Sequence, residues 1–188
     1  VVSGLALGID GAAHAGALAG PGRTVAVLAT GLDRAYPRSH ERLYQALLER
    51  GAAYSEHPPG TPARRHHFPE RNRLMSALSD AVVVVAAAER SGALITARLG
   101  LEAGRDVWAV PGPIDRPSSA GTNALLRDGA RPVCSIAEVV EAHAGPAAHL
   151  AGPGRPTGVS ALALAVWDAL ENGERHLDDL ALLCGSAE

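Results

Sequence analysis

The chain has 188 residues, enough for one full domain and part of a second, and 47% of them are hydrophobic while only 3% are aromatic. All 17 basic residues are Arg, set against 20 acidic ones, and the net charge of -3 argues against a protein that coats nucleic acid with its whole surface. Residues 160–188 carry six acids and one Arg, so the rest of the chain is slightly basic and a polyanion site has to be local.

Apolar runs without polar alternation predict strands that are covered on both faces, as in parallel sheets. They lie in the opening segment "VVSGLALGID" and at 24–30, 52–55, 81–88, 106–110 and 131–134. Helical patterns lie between them, at 10–19, 39–50, 71–79, 93–103, 121–128 and 136–143. Because strand and helix alternate, the sequence predicts an α/β fold with a Rossmann-like, doubly wound and mostly parallel sheet.

Three segments follow from this pattern. Residues 1–142 form the Rossmann-like domain, and because the chain opens directly in a strand without Met, we expect that domain's first strand and helix to be missing. Residues 143–158, rich in Gly, Pro and Ala, predict a flexible linker. Residues 159–188 hold two amphipathic helical patterns and predict a small, partial winged-helix or helix-turn-helix domain.

The two cysteines, Cys134 and Cys184, have no metal-binding or redox spacing, and the eight His residues are scattered. We therefore expect no metal site, no disulfide and ordinary packing or solvation for the imidazoles. Neither a signal peptide nor a long apolar span is visible, which favours a cytoplasmic protein that does not associate with membranes.

Two glycine turns between a strand and a helix predict anion binding. Gly4 and Gly8 lie in the first, "SGLALGID", and Ser91 and Gly92 in the second, "ERSGALIT". Backbone N–H groups and the helix dipole attract an anion at such turns. The spacing is not that of the dinucleotide fingerprint, so a nicotinamide or flavin role loses its main support. The alternative is that these glycines serve only close helix packing.

The segment "HPPGTPARRHHFPERNR" (57–73) is the strongest basic patch and contains the chain's single phenylalanine, Phe68. An aromatic ring among arginines is typical of a surface that stacks the bases of single-stranded nucleic acid. In this interpretation the prolines keep the segment extended up to the helix. The alternative is that Phe68 fills the core and the arginines form surface ion pairs.

Signals for catalysis are weak. Asp10, Glu56 and Asp115 are candidates for paired carboxylates at the carboxyl edge of the sheet, with capping or turn hydrogen bonding as the alternative for Asp10. No Ser lies in a G-x-S-x-G elbow, and neither glycine turn ends in the G-K-[ST] of a phosphate-binding loop. We therefore predict a binding protein without enzymatic activity, cofactor or metal.

Six motifs taken together resemble the DNA processing protein A family, also called DprA or Smf. Their order and spacing match over about 130 residues: "SGLALGIDGAAH" (3–14), "TGLDRAYP" (30–37), "SEHPPGTP" (55–62), "FPERNRLMSALSD" (68–80), "ERSGALITARLGLEAGRDVWAVPG" (89–112) and "GTNALLRDGA" (121–130). The resemblance implies a Rossmann-like domain that binds single-stranded DNA without sequence preference and dimerises. It also implies loading of the RecA recombinase onto incoming DNA during natural transformation.

For individual residues, the resemblance implies a base stacked on Phe68, with Arg71, Asn72 and Arg73 shaping the loop and meeting phosphates. The first turn and its helix would bind the DNA backbone, and Leu7 stands where many relatives have Arg or Lys. The full set of DNA-binding candidates is Ser3, Gly4, Leu5, Ala6, Gly8, Arg64, Arg65, Phe68, Arg71, Asn72, Arg73, Ser91 and Gly92. The candidates for the dimer interface are Asn123, Leu126 and Val133.

Two other functions remain as alternatives. One is a Rossmann-like nucleotide hydrolase similar to the phosphoribohydrolases, although the turn "ERSGALITA" lacks the catalytic Glu of their P-G-G-x-G-T-x-x-E loop. The other is a structural oligomerisation domain, which would leave the Arg-rich segment without a role.

Overall fold

The computed structural model describes residues 1–144, with Ala144 described by its backbone alone. The remainder of the predicted linker and the predicted winged-helix segment lie outside the described residues. Strand and helix alternate from the first residues to α6, as predicted. The strands are β1 (Val2–Ser3), β2 (Val25–Val27), β3 (Ala52–Tyr54), β4 (Ala81–Val84), β5 (Asp106–Ala109) and β6 (Arg131–Pro132). The helices are α1 (Ile9–Ala19), α2 (Glu41–Arg50), α3 (His67–Ala77), α4 (Gly92–Glu102), α5 (Ala120–Arg127) and α6 (Ile136–Ala144).

The strands pair in two sheets, in the orders β1-β2-β3 and β4-β5-β6, and every pairing is parallel. Val25 lies opposite Val2 on one side and Ala52 on the other, and Val107 lies opposite Val82. Within residues 1–144, no strand pairing joins the two sheets. The α/β class and the Rossmann-like, parallel arrangement expected from the sequence are confirmed.

Each sheet has its own buried cluster. In the first sheet it comprises Leu5, Ala26, Leu28, Ala35, Tyr44 and Leu47. In the second it comprises Val82, Val84, Ala87, Ala97 and Val107. These side chains are small or aliphatic apart from one tyrosine, which agrees with the low aromatic content of the chain and the close approach of helices to strands.

Helix α3 contacts elements of both halves. Arg71 of α3 donates a hydrogen bond to the carbonyl oxygen of Val27 at the end of β2. Five residues further along α3, the Ser76 hydroxyl donates to the Thr96 carbonyl oxygen of α4, 3.0 Å away. The residues at the start of α3 are therefore held against the carboxyl edge of the first sheet.

Helix α3 begins earlier than the sequence predicts. We expected an extended segment up to residue 71, whereas the helix starts at His67 and includes Phe68 and Pro69 in its first turn. The expectation was wrong because Pro69 occupies a first-turn position, where no helical N–H bond is needed and proline is tolerated. Phe68 is thus carried by a regular helix and not by a loop.

Candidate nucleic-acid interface

The first glycine turn, residues 3–8, is held closed by a carboxylate. Asp10 Oδ2 accepts hydrogen bonds from the backbone N–H groups of Gly4 at 3.0 Å and Ala6 at 3.3 Å. Between them, Leu5 is fully buried and adopts the left-handed conformation, with a φ of 59°. An αL conformation is uncommon for a residue with a side chain and persists where its surroundings enforce it.

This arrangement corrects part of the expected anion site. The N–H groups of Gly4 and Ala6 already bind the carboxylate of Asp10, so they do not face a DNA phosphate as the turn stands. Asp10 has the turn-bonding role that the sequence left as its alternative. The solvent-exposed part of the turn is Leu7, Gly8 and Ile9, where α1 begins without a side-chain cap. Any phosphate at this turn would meet the positive end of α1 at these residues.

Arg71 is buried at the junction of the first turn, β2 and α3. Its guanidinium donates to the carbonyl oxygens of Gly4, at 2.7 Å, and of Val27, and its Nε donates to Asn72 Oδ1 at 3.2 Å. Only 5% of the residue is exposed. Burial lowers the pKa of the guanidinium, and the nearby Asp10 carboxylate acts in the opposite direction.

The expectation that Arg71 and Asn72 meet phosphates therefore differs from their placement. Both residues are buried, and the hydrogen bonds of Arg71 go to two main-chain carbonyls and to Asn72 itself. The other half of the expectation, that these residues shape the loop, agrees with the contacts. Arg71 is the residue that ties α3 to the ends of β1 and β2.

Phe68 lies one helical turn before Arg71 and is half-buried. Its ring belongs to neither of the two buried clusters of the described residues. The Arg71 guanidinium carbon is 5.9 Å from the centre of the ring, within the range of a cation–π contact. Phe68 therefore does not fill the core, which was the alternative to a base-stacking role.

A second ring accompanies Phe68. Tyr36, in the loop after β2, is 48% exposed, and the centres of the two rings are 5.5 Å apart with planes at 59°. Sequence reasoning gave Tyr36 no role, although the residue lies within the "TGLDRAYP" motif. The signal was present in the motif, but nothing in the sequence placed that loop beside α3.

Three imidazoles, those of His57, His66 and His67, contact one another near the start of α3. His67 is buried, its Nδ1 lies 3.0 Å from the carbonyl oxygen of Ala29, and its ring stacks on His57 with centres 3.9 Å apart. His66 meets His67 edge to face at 4.5 Å. Within residues 1–144, no group of His, Cys, Asp or Glu side chains could hold a metal ion. His67 is packed in the interior, whereas His66 is exposed to solvent.

The arginines of the basic segment fall into two kinds. Arg64 and Arg65 are exposed, and neither forms a salt bridge with any described residue. Arg73 is also exposed, but it pairs with Glu56. The ion-pair alternative therefore applies to Arg73, while Arg64 and Arg65 keep their charge available for an anion.

The family described as "DNA recombination-mediator protein A" matches residues 1–144. Protein Smf of Escherichia coli (strain K12) is 50% identical over 142 residues, which are 75% of this chain and 38% of Smf. The X-ray structure of DNA processing protein A (DprA) from Streptococcus pneumoniae matches with a TM-score of 0.70 and 44% identity, over 76% of this chain and 50% of that one. The chain belongs to the DprA family.

A second DprA structure, from Helicobacter pylori, matches with a TM-score of 0.69 and 32% identity, over 75% of this chain and 64% of that one. It is described as giving insight into a unique single-stranded DNA binding mode of that protein. The present chain spans about half the length, or less, of the curated DprA and Smf relatives it matches.

The second turn of the DprA-like motifs lies at the start of α4. Ser91 caps this helix by accepting a hydrogen bond from the N–H of Ala93 at 3.2 Å, and Gly92 is exposed as its first residue. Among the described residues, no hydrogen bond or aromatic contact links this turn to Phe68 or to the first turn. Its role in DNA binding stays a prediction.

The three dimer candidates differ in what they offer a partner. The amide of Asn123 exchanges hydrogen bonds with the backbone of Gly112, at 3.2 and 2.9 Å, and Val133 is buried. Leu126 on α5 is half-buried and keeps some accessible surface. Of the three, Leu126 is the residue best placed to contact a second copy, and the dimer itself stays a prediction.

No helix in the described part of the chain is long and apolar enough to cross a membrane.

Proposed function

We propose that this chain binds single-stranded DNA without sequence preference, at the surface around Phe68. The observation that carries the proposal is the partly exposed Phe68 ring beside the exposed Tyr36 ring, 5.5 Å apart, following a segment that carries the unpaired Arg64 and Arg65. Stacking tolerates every base because each has a π face, and cations that follow the phosphates add affinity without reading sequence. The single-stranded DNA binding described for the H. pylori relative supports the same conclusion.

The phosphate contacts in this proposal come from three places. Arg64 and Arg65 lie immediately before α3, and Arg73 can exchange its partner Glu56 for a phosphate. The exposed start of α1 at Leu7–Ile9 and Gly92 at the start of α4 supply backbone N–H groups, whereas the Ser91 N–H donates to the Ala88 carbonyl oxygen. Arg71 takes part by holding Phe68 and the first turn in place.

A titration tests the proposal directly. Binding of a labelled oligo-dT to the 188-residue chain and to Phe68→Ala is measured by fluorescence anisotropy at two salt concentrations. We expect tight binding at low salt that weakens steeply as salt rises, and a loss of about 5- to 150-fold for the variant, the range for one stacked base. If the intact chain does not bind at low salt, the proposed DNA binding is refuted. If Phe68→Ala binds as tightly as the intact chain, Phe68 does not stack a base.

Binding without catalysis is also part of the proposal. Of the three candidate carboxylates, Asp10 accepts two backbone hydrogen bonds and Glu56 pairs with Arg73. Asp115, the third, is exposed in the loop after β5, so a test of activity decides whether it has a chemical role. Incubation with nucleoside monophosphates should release no free base above the buffer rate. Enzyme-dependent release of base would instead favour the hydrolase.

We further propose that the chain acts as part of a cytoplasmic homodimer that loads RecA onto incoming single strands during natural transformation. The basis is membership of the DprA family together with the accessible Leu126 on α5. Sedimentation velocity should give a dimer for the intact chain and a monomer for Leu126→Glu. RecA filament assembly on a single strand should be faster with the dimer; equal rates with and without the chain would count against loading.

A further inference from the structure

The Phe68 and Tyr36 rings come from two separate elements that are fixed relative to each other. Phe68 lies in the first turn of α3, which Arg71 ties to the ends of β1 and β2. The loop that carries Tyr36 is tied to α2, where the Tyr44 hydroxyl donates to the Leu32 carbonyl oxygen at 2.7 Å. A second hydrogen bond holds the same loop, from the Gly31 N–H to the Thr61 carbonyl oxygen at 3.0 Å. The two backbone segments that carry the rings are therefore held relative to each other before a ligand binds.

The two rings cannot hold one base between them. A sandwiched base needs parallel rings separated by about 7 Å, which is twice a carbon–carbon contact distance of about 3.5 Å. Here the centres are 5.5 Å apart and the planes are inclined by 59°. The rings instead form a corner whose outer faces point in different directions, which we call the Tyr36–Phe68 corner.

Tyr36 has no role in the interior that would explain its position. It is 48% exposed, and its hydroxyl makes no hydrogen bond with any residue between 1 and 144. Tyrosine offers both a stacking face and a hydroxyl that can meet a base edge. The ring that it contacts is the one already assigned to a base.

We propose that Tyr36 is a second base platform, so that the corner binds two successive nucleotides and kinks the strand between them. This rests on the proposed single-stranded DNA binding at Phe68. Because the ring planes differ by 59°, two bases stacked on them cannot stack on each other. Binding therefore requires a strand whose neighbouring bases separate easily. The corner therefore gives a modest preference for weakly stacked oligopyrimidine over stacked oligopurine, which comes from strand flexibility and not from reading the bases, and it excludes duplex DNA.

The test compares Tyr36→Ala with a matched control in the same anisotropy titration. Tyr54 is the control because it is 49% exposed, like Tyr36, but has no ring contact with Phe68. Oligo-dT and oligo-dA of equal length are titrated with the intact chain, Tyr36→Ala, Tyr54→Ala, Phe68→Ala and the double variant Tyr36→Ala/Phe68→Ala. The salt dependence of each binding constant is measured as well.

For oligo-dT, we expect Tyr36→Ala to lose about 5- to 150-fold in affinity, with an unchanged salt dependence, and Tyr54→Ala to stay within twofold of the intact chain. The double variant should bind more weakly than either single variant, since each ring serves its own base. Because the two rings are in contact, the two losses are not expected to multiply. The intact chain should bind oligo-dT more tightly than oligo-dA, and this difference should be smaller for Tyr36→Ala. With Phe68 as the single remaining stacking ring, the strand no longer has to kink between two neighbouring bases.

Several results would overturn the inference while leaving the proposed function intact. Normal binding by Tyr36→Ala alongside impaired binding by Phe68→Ala would remove Tyr36 from the DNA site. A double variant no weaker than Phe68→Ala would reduce Tyr36 to a residue that positions Phe68. Equal losses in Tyr36→Ala and Tyr54→Ala would mean general damage. Absence of binding by the intact chain would instead refute the proposed function itself.

Discussion

The buried guanidinium of Arg71 lies against Gly4, donating to its carbonyl oxygen at 2.7 Å. The two residues are separated by 67 positions in the chain, and the hydrogen bond joins the first turn to α3. A Cβ on Gly4 would lie 2.2 Å from Nη1 of Arg71, so the glycine leaves the space that the guanidinium occupies. The position of Phe68, one helical turn away, depends on this contact.

Replacing Arg71 with Met should destabilise the fold strongly. The substitution keeps the length of the side chain but leaves the carbonyl oxygens of Gly4 and Val27 buried without a donor. Buried unpaired polar groups cost about 1–3 kcal/mol each, so we expect the free energy of unfolding to fall by about 3 kcal/mol. Urea denaturation measures this change. Arg65→Met is the control, since Arg65 is exposed and should change stability by less than about 0.5 kcal/mol.

Methyl groups added at two glycines should have opposite effects on stability. Gly4→Ala places a Cβ into the Arg71 guanidinium, and the resulting overpacking should cost about 1–3 kcal/mol. Gly16 is exposed in the interior of α1 with nothing within 4 Å of a Cβ, so Gly16→Ala should stabilise by about 0.5–1 kcal/mol. Thermal unfolding of both variants checks the signs. A Gly4→Ala protein as stable as the parent would mean that Arg71 can move aside without loss.

Most of the fold could be predicted because its signals are local. Apolar runs and helix-bounding residues gave the order of the elements, and the predicted start of α1 was one residue from the observed one. The predicted start of α3 is four residues late, because the prolines of the preceding segment indicate extended chain while Pro69 in fact lies in the first turn of the helix. Local patterns thus set the type of element more reliably than its boundary.

The roles within the site depend on contacts that a sequence does not display. The family resemblance implies that Arg71 shapes the loop and meets a phosphate, and its carbonyl partners come from Gly4 and Val27, which are distant in the chain. Tyr36 was overlooked for the same reason, since only the fold brings its loop to Phe68. Phe68 could be singled out from the sequence because it is the one phenylalanine of the chain and lies among arginines close to it in the sequence.

The free arginines before α3 should govern how DNA binding depends on salt. Each phosphate contact on a single strand contributes about 0.7 to the slope of log binding constant against log salt concentration. Arg64→Gln and Arg65→Gln should each lower this slope by up to about 0.7, whereas Phe68→Ala should lower affinity and leave the slope unchanged. Arg98→Gln is the control, because Arg98 pairs with Glu102 along α4 at 3.5 Å. Unchanged slopes in both arginine variants would place the phosphates elsewhere.

His14 should make the fold sensitive to mild acid. Its Nδ1 is 2.6 Å from Thr24 Oγ1, and that hydroxyl donates its own proton to the carbonyl oxygen of Val1, so Nδ1 carries a hydrogen and donates. Nε2 is buried and has no hydrogen-bond partner among the described residues. Burial lowers the pKa of His14 from its ordinary 6.5 to about 4, while Asp10 acts in the opposite direction.

Because the folded pKa lies below the unfolded one, protons bind the unfolded chain first as the pH falls. The contribution of a neutral His14 is fully present above pH 6.5 and is lost between pH 6.5 and about 4, amounting to about 3 kcal/mol. His14→Asn keeps a donor near the Nδ1 position but does not titrate. Between pH 7.5 and 4, the parent should therefore lose about 3 kcal/mol more than His14→Asn in urea denaturation. Parallel stability curves for the two proteins would show that His14 is protonated as readily in the folded chain as in the unfolded one.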